Sequence, residues 1–476
     1  QKMSRGDVLV LPAFGQGHLF PCLELCHLIA SRNYNTTLFV FPNLYPSIPQ
    51  AFHDHPLVDV VQVPISPPPQ HVPSEPDSIH KLHLCLETFL SARPTSPSRP
   101  ICAIVDVLVV VDWTKEVFKK FGVPTVGLFT SGACSAAMEH ATWTAQPLEV
   151  KSGESFFLPG MPEDMGLTSW DLKRRPEVPR GGRGRPLGLK KVGSPVPGDE
   201  PNWVNETEDT IALMVNTCDD LEGPFLEYLA HEVKKPVWGV GPLFPAQYWS
   251  SLTEVVHDSE LRVNKWADVK ETDVVEWLDS KPRSSVIYVA FGSSVDLTMD
   301  DYPQLAAALE ASTHPFIWVL RENAGLGRDS PPQAEGYYPR GMEERVGSRG
   351  LIIRGWAPQL MILGHASTGG FLSHCGWNST MEALARGVPM LTWPLRGDQY
   401  YNAKLATSHL KVGYSVVDDF SQLVKSGDIV DKIDKLMGDK EMKRRAEAIG
   451  DKFQVGFPAS SVAGLDAFVG FINPDS

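Results

Sequence analysis

Short apolar runs recur along the chain, each handing over to a stretch with helical spacing. DVLVLPAF closes on GQGH and passes into PCLELCHLIASRN, where Leu23, Cys26, His27 and Ala30 return at helical intervals. NTTLFVFP reads as the next strand, ICAIVD with TKEVFKKFG as a strand–helix pair, and VPTVGLFTSG and IALMVNTC continue the series. The rhythm pauses between Trp238 and Glu271, in a loop-rich stretch that begins GVGPLFPAQYWSSL. It restarts with SSVIYVAFGSS, PFIWVLRE, GLIIRGWAP, GGFLSHCG and VPMLTWPL. Strands alternating with helices predict parallel sheets covered on both faces. The fold class is therefore α/β, with two Rossmann-like domains facing a cleft: residues 1–245, a linker at 246–270, and residues 271–455. Ligands of such folds bind beyond the carboxyl ends of the strands, so the cleft is where a site is expected.

Length agrees with this division, since 476 residues exceed what one ordinary core holds. A hydrophobic share of 42% with 21% charged residues belongs to a globular chain, not a disordered one. The net charge of −14 argues against nucleic acid or an anionic membrane as a partner. Seven scattered cysteines without a C-x-x-C pair argue against a disulfide framework or a zinc site, and a reducing, cytoplasmic location is expected. The longest apolar run, ICAIVDVLVVV, is short of the ~20 residues of a membrane span, and the apolar part of QKMSRGDVLVLPAF is too short and early for a signal peptide. Sequons at Asn35, Asn205 and Asn378 carry no meaning in such a compartment. Asp171 to Trp203 departs from the pattern, being Gly/Pro-rich and locally basic; it reads as a long surface loop.

One turn gathers chemistry. GGFLSH reads as a strand and WNSTMEALARG as a helix, with Gly387 at its carboxyl end and Pro389 opening the next strand. Gly376, Trp377, Asn378 and Ser379 then occupy the first turn, where backbone N–H groups lack partners and the helix dipole is positive. With His374 beside them, these groups suit a phosphate or diphosphate. Glu382, four residues after Asn378, suits a sugar diol. The residues by themselves leave an ordinary N-capped helix equally open.

The wider segment WAPQLMILGHASTGGFLSHCGWNSTMEALARGVPMLTWPLRGDQ, from Trp356 to Gln399, closely resembles the signature box of plant family 1 UDP-sugar glycosyltransferases. FGQGHLFPCLEL, VNTCDDLE, WLDSKPRSSVIYVAFGS and SSVAGLDAFVGFI extend the resemblance over essentially the whole chain. It implies the GT-B fold, with residues 456–476 as a helix packing back on the first domain. It implies that Trp356 stacks on uracil, that the Ala357 backbone reads the base edge, and that Gln359 and Glu382 hold the ribose. His374, Asn378, Ser379 and Ser293 would hold the diphosphate, Asp398 and Gln399 the sugar hydroxyls, and Trp377 would meet the sugar through its backbone. Thr130 matches a position that contacts the donor sugar or diphosphate. The alternatives are capping of the helix before YYNAKLA for Asp398 and core packing for Trp356.

His18, in GQGH, matches the catalytic base of the family, which an aspartate at the end of a later strand orients. AIVDVLVVVDW offers Asp106, directly after its strand, and Asp112 as the runner-up. The reaction implied is an inverting displacement in which His18 takes the acceptor proton and UDP leaves into the helix terminus. A phenol with pKa ~10 needs no stronger base than an imidazole of ~6.5 raised somewhat by an aspartate. No D-x-D pair occurs, consistent with a metal-independent route without a bound cofactor, UDP-glucose being a co-substrate. Gln399 resembles the glucose-type ending of the box.

Three rivals differ at named positions. A nicotinamide oxidoreductase would need a third glycine in GQGHLFP and an acidic residue after TLFVFP; an α/β-hydrolase would need G-x-S-x-G. A UDP-sugar-binding protein without turnover would lack His18. The acceptor pocket is expected around Phe14, Phe20, Trp143 and Trp170, apolar and aromatic, fitting a phenolic, flavonoid-like or terpenoid small molecule. O- and C-glycosylation begin with the same deprotonation and stay open. A monomer is expected.

Overall fold

In the computed structural model, β1 (Asp7–Leu11), β2 (Asn35–Val40), β3 (Val58–Gln62), β4 (Cys102–Asp106) and β5 (Thr125–Phe129) are parallel strands of one sheet. A small antiparallel pair, β6 (Ser155–Phe156) and β7 (Leu167–Thr168), stands apart. β8 (Ala212–Val215) and β9 (Val237–Gly239) complete the first sheet in the order β3-β2-β1-β4-β5-β8-β9. The second sheet consists of β10 (Val286–Ala290), β11 (Phe316–Leu320), β12 (Gly350–Arg354), β13 (Thr368–Ser373), β14 (Met390–Thr392) and β15 (Gly413–Ser415), all parallel, in the order β12-β11-β10-β13-β14-β15. The structure describes residues 5–63, 75–93, 99–147, 149–173, 196–250, 266–292, 296–326 and 334–473.

The central strands are buried on both faces, which is why DVLVL, CAIVD and VIYVA are continuous apolar runs without alternation. Each sheet reverses its winding once, the first between β1 and β4 and the second between β10 and β13. A crevice opens at such a reversal, because the connections leave toward opposite faces. His18 follows β1 and Asp106 ends β4; Gly292 and His374 follow the second pair of strands.

A continuous apolar cluster joins the two units. Cys134, Met138 and Phe225 share it with Trp377 and Tyr401. Near its edge, Lys404 pairs with Asp171 at 2.9 Å and His409 with Asp164 at 2.8 Å. The last helix, Ala459–Ile472, lies against β9, with Phe468 and Phe471 edge-on to Trp238 and Arg32 paired to Asp466 at 2.7 Å.

Two readings differ locally. The first helix starts at Gln16, earlier than the PCLELCHLIASRN pattern places it, and carries Pro21 in its second turn. The pause after Trp238 contains β9 and a short helix, Ala246–Ser250, while 251–265 lie outside the described residues. Most of the basic Gly/Pro-rich loop, 174–195, lies outside them too. Among the described residues no helix is long and apolar enough to cross a membrane, and all seven cysteines are free thiols.

Candidate active site

After β1 the chain turns through Gly15, at φ 110°, and His18 falls in the first turn of the helix. That turn lies against the end of β4, where Asp106 is wholly buried. Asp106 Oδ2 is 2.8 Å from His18 Nδ1, and its Oδ1 accepts the Leu108 N–H at 3.0 Å. The Thr130 hydroxyl, from the end of β5, lies 2.8 Å from the same Nδ1 and donates to Asp106 Oδ2 at 3.3 Å. With Nδ1 engaged, Nε2 is the ring nitrogen left to accept a proton. Burial pulls the His18 pKa down, but the charge and hydrogen bond of Asp106 outweigh it and leave the pKa raised. Asp112 is exposed, at the start of the helix Asp112–Phe121, and among the described residues no hydrogen bond or ion pair joins it to this pair.

Across the cleft, β13 ends at Ser373 and the helix Trp377–Ala385 begins after three residues. Cys375 makes the turn at φ 63°, a left-handed conformation uncommon outside glycine. Its N–H is held by Ser373 Oγ at 3.1 Å and its carbonyl by the Asn402 amide at 3.0 Å. Two glycines make room for His374: a Cβ on Gly292 would lie 2.7 Å from the imidazole and one on Gly376 closer still. Burial, reinforced by the charges of Arg396 and Arg321, lowers the His374 pKa to about 4, so this imidazole is neutral near pH 7. Gln359 donates to Glu382 at 2.6 Å and to Ser379 at 2.9 Å, and receives the Tyr288 hydroxyl at 3.1 Å. Asn378 donates to the Gly17 carbonyl at 3.2 Å, a contact from the second unit to the helical turn that carries His18.

A cavity of about 550 Å³ lies between these two groups of residues. His18, Asp106, Thr130, Trp356, Ala357, Gln359, His374, Trp377, Asn378, Ser379, Glu382, Asp398 and Gln399 all line it. Ser293 lies outside the described residues, directly after the lining residue Gly292. The Trp377 side chain is an anchor between the units: its Nε1–H donates to the Asn216 carbonyl at 2.7 Å, and a Cβ on Gly132 would lie 2.7 Å from its ring. Asp398 does not cap the helix Gln399–Lys404 through its side chain; the carboxylate accepts from the Asn402 amide at 2.8 Å, and burial raises its pKa. Gln399 Oε1 accepts the N–H groups of Leu395 and Arg396 at 2.9 and 3.0 Å, bracing the loop.

The acceptor side differs from the sequence-based expectation. Phe20 lines the cavity, whereas Phe14, Trp143 and Trp170 do not. Phe14 stacks on Phe41, with ring centroids 4.1 Å apart. Trp143 lies one turn past Glu139, beyond the end of the cavity, with its ring edge-on to His140. Trp170 is exposed, with Lys173 Nζ 4.8 Å from its ring centroid. Val107, Leu108, Phe129, Ala136 and Trp203 take their place. Sequence reasoning also missed Arg396, which lines the cavity, and Glu222, wholly buried, which accepts the N–H groups of Ala133 and Cys134 at 2.8 Å each. A carboxylate in the helical pattern DDLEGPF carries no local sign of that role.

Such a site can hold a diphosphate at a helix terminus and remove a proton opposite it. Residues 230–450 match the family described as UDP-glucoronosyl and UDP-glucosyl transferase. UDP-glycosyltransferase 73C13 of Barbarea vulgaris is 32% identical over 489 residues, covering 93% of this chain and 91% of that protein. The crystal structure of Glycyrrhiza uralensis UGT73P12, complexed with glycyrrhetinic acid 3-O-monoglucuronide, superposes with a TM-score of 0.75 at 26% identity, covering 98% of this chain and 95% of the other. A ugt transferase from Siraitia grosvenorii, in complex with UDP, superposes at 0.71 with 24% identity, over 98% and 99% of the two chains.

Proposed function

Because the chain belongs to the plant UDP-glycosyltransferases, with two parallel-sheet α/β domains of the GT-B type, we propose that it transfers glucose from UDP-glucose to a small aromatic acceptor. The transfer inverts the anomeric centre and uses neither metal nor bound cofactor. The enzyme works as a cytoplasmic monomer. The observation that carries this reading is the sharing of one cavity by the His18–Asp106 pair and the helix terminus at His374.

His18 Nε2 takes the proton of an acceptor hydroxyl, and the oxygen attacks the anomeric carbon from the face opposite the diphosphate. Asp106 holds the imidazole tautomer and stabilises the imidazolium that forms. Backbone N–H groups of the first turn at Asn378 and Ser379 receive the departing charge. Trp356 and Ala357 serve the uracil, Gln359 and Glu382 the ribose, Thr130, Asp398 and Gln399 the glucose. Glu382 and Gln359 are already bonded to each other, so the ribose hydroxyls meet a preset pair. Phe20, Leu108, Phe129 and Trp203 offer the acceptor an apolar, aromatic wall, suited to a phenol or flavonoid.

The test is turnover of a phenolic acceptor library with UDP-glucose, UDP-galactose and UDP-xylose, with products identified by mass fragmentation. The highest kcat/KM is expected for UDP-glucose. A clear preference for either other donor overturns the glucose assignment, and a carbon-linked product redirects the reading to C-glycosylation.

A further inference from the structure

Arg396 lies on the loop between β14 and the helix Gln399–Lys404, exposed and lining the cavity. Among the described residues its guanidinium has no hydrogen bond or ion pair, while its backbone N–H is fixed by Gln399 at 3.0 Å. Its charge is felt on both sides of the cleft, opposing protonation of His374 and also of His18. It lines the same cavity as His18 on one side and the helix terminus at His374 on the other. Arg321, the other guanidinium felt by His374, is tied to Asp296 at 2.7 Å. His374 is neutral and offers a hydrogen bond without charge, and a helix N-terminus supplies only roughly half a unit charge.

The transfer increases the charge at this place. The acceptor O–H proton passes to His18, the acceptor oxygen bonds to the anomeric carbon, and the bond from that carbon to the β-phosphate oxygen breaks. The electron pair stays on that oxygen, so UDP departs with one negative charge more than it carried as UDP-glucose. We propose that the Arg396 guanidinium pairs with the β-phosphate and strengthens its hold as this charge develops. This rests on the UDP-sugar reading of the site. A guanidinium suits the task, since it stays charged at any working pH and offers paired donors to phosphate oxygens.

The test compares binding of UDP and UMP to the wild-type chain, Arg396→Gln and Arg396→Lys by calorimetry, together with turnover of a neutral phenol. Arg396→Gln is expected to weaken UDP about tenfold or more and leave UMP, which has no β-phosphate, unchanged. It is expected to lower kcat on the order of 10²-fold, with Arg396→Lys recovering part of both losses. Equal effects on UDP and UMP, or none on either, overturn the proposal. So does a loss confined to acceptors that carry a carboxylate, which would make Arg396 an acceptor residue. Wild-type protein that binds no UDP defeats both this proposal and the UDP-sugar reading, whereas wild-type binding insensitive to Arg396 defeats this one alone. Arg396 is exposed, so its variants are expected to melt like the wild type.

Discussion

Asp106 Oδ2 stands 2.8 Å from His18 Nδ1 with the carboxylate wholly buried and the imidazole partly open to the cleft. His18→Ala is expected to lower kcat for a phenolic acceptor ~10²–10⁴-fold, with UDP binding retained because the proposed donor residues lie mostly on the second unit. A nitrophenol, already ionised near neutral pH, should partly rescue the variant, and an alkyl alcohol should not. Asp106→Asn should be strongly impaired and Asp112→Asn close to wild type. Near-normal turnover of alkyl alcohols by His18→Ala would remove the histidine from the mechanism.

The same pair sets the pH profile. A base must be neutral to act, so activity is lost as pH falls through its pKa. Asp106 raises the His18 pKa against the downward pull of burial, and the acid limb of kcat/KM is expected above the ordinary imidazole value of about 6.5. Asp106→Asn removes the charge that raises it while burial remains, so whatever activity survives should have its acid limb at lower pH. A limb that stays in place would show that Asp106 does not govern this titration.

His374 makes a stability prediction of opposite sign. Its pKa is lowered to about 4 in the fold, while an unfolded chain binds the proton near 6.5. Between those values the unfolded state holds more protons, so stability rises with pH across the window and falls on acidification. The full penalty, reached below pH 4, is about 3 kcal/mol. Denaturant titrations of wild type and His374→Gln from pH 7 to 4 should show the wild type losing more. Parallel curves would refute the assignment.

The contact between Trp377 and Gly132 can be tested by crowding it. A Cβ on Gly132 would lie 2.7 Å from the indole and 2.8 Å from the Glu222 carboxylate, both of which are buried. Gly132→Ala is expected to cost ~1–3 kcal/mol of stability, the usual range for overpacking, and to lower activity by disturbing the seam between the units. Adding Trp377→Phe should recover part of the loss by opening space. If the double variant is as unstable as the sum of the singles, the two positions are not coupled.

Glu382→Ala is expected to raise the donor KM with kcat little changed, since the proposed ribose contact would be made in ground and transition states alike. It also leaves the Gln359 amide with Ser379 as its remaining side-chain acceptor at 2.9 Å. A fall in thermal stability with unchanged donor KM would instead make Glu382 a purely structural partner of Gln359.

Local chemistry determined a large part of this protein. Continuous apolar runs mark strands buried on both faces, and the helix after HCG follows from WNSTMEALARG, because these patterns depend on neighbours in the chain. His374, Asn378, Ser379 and Glu382 stand close together in sequence, so their gathering around one turn was legible in the chain, whereas Trp356 and Asp398 follow other strands and join them only through the packing of the sheet. The pairing of His18 with Asp106 was legible only as a choice, since both Asp106 and Asp112 follow the same run; tertiary structure decided it by ending β4 beside the turn after β1. Which aromatics line the cavity was decided there as well. Phe14 and Trp143 have the expected chemistry, but a stacking partner at Phe41 and one turn of helix carry them out of the cavity. Arg396 and Glu222 matter through groups far away in the chain, at His374 and His18 for one and at Ala133 and Cys134 for the other. Periodicity reports which face of an element is buried; what that face meets depends on how the two sheets pack, and no local pattern carries that.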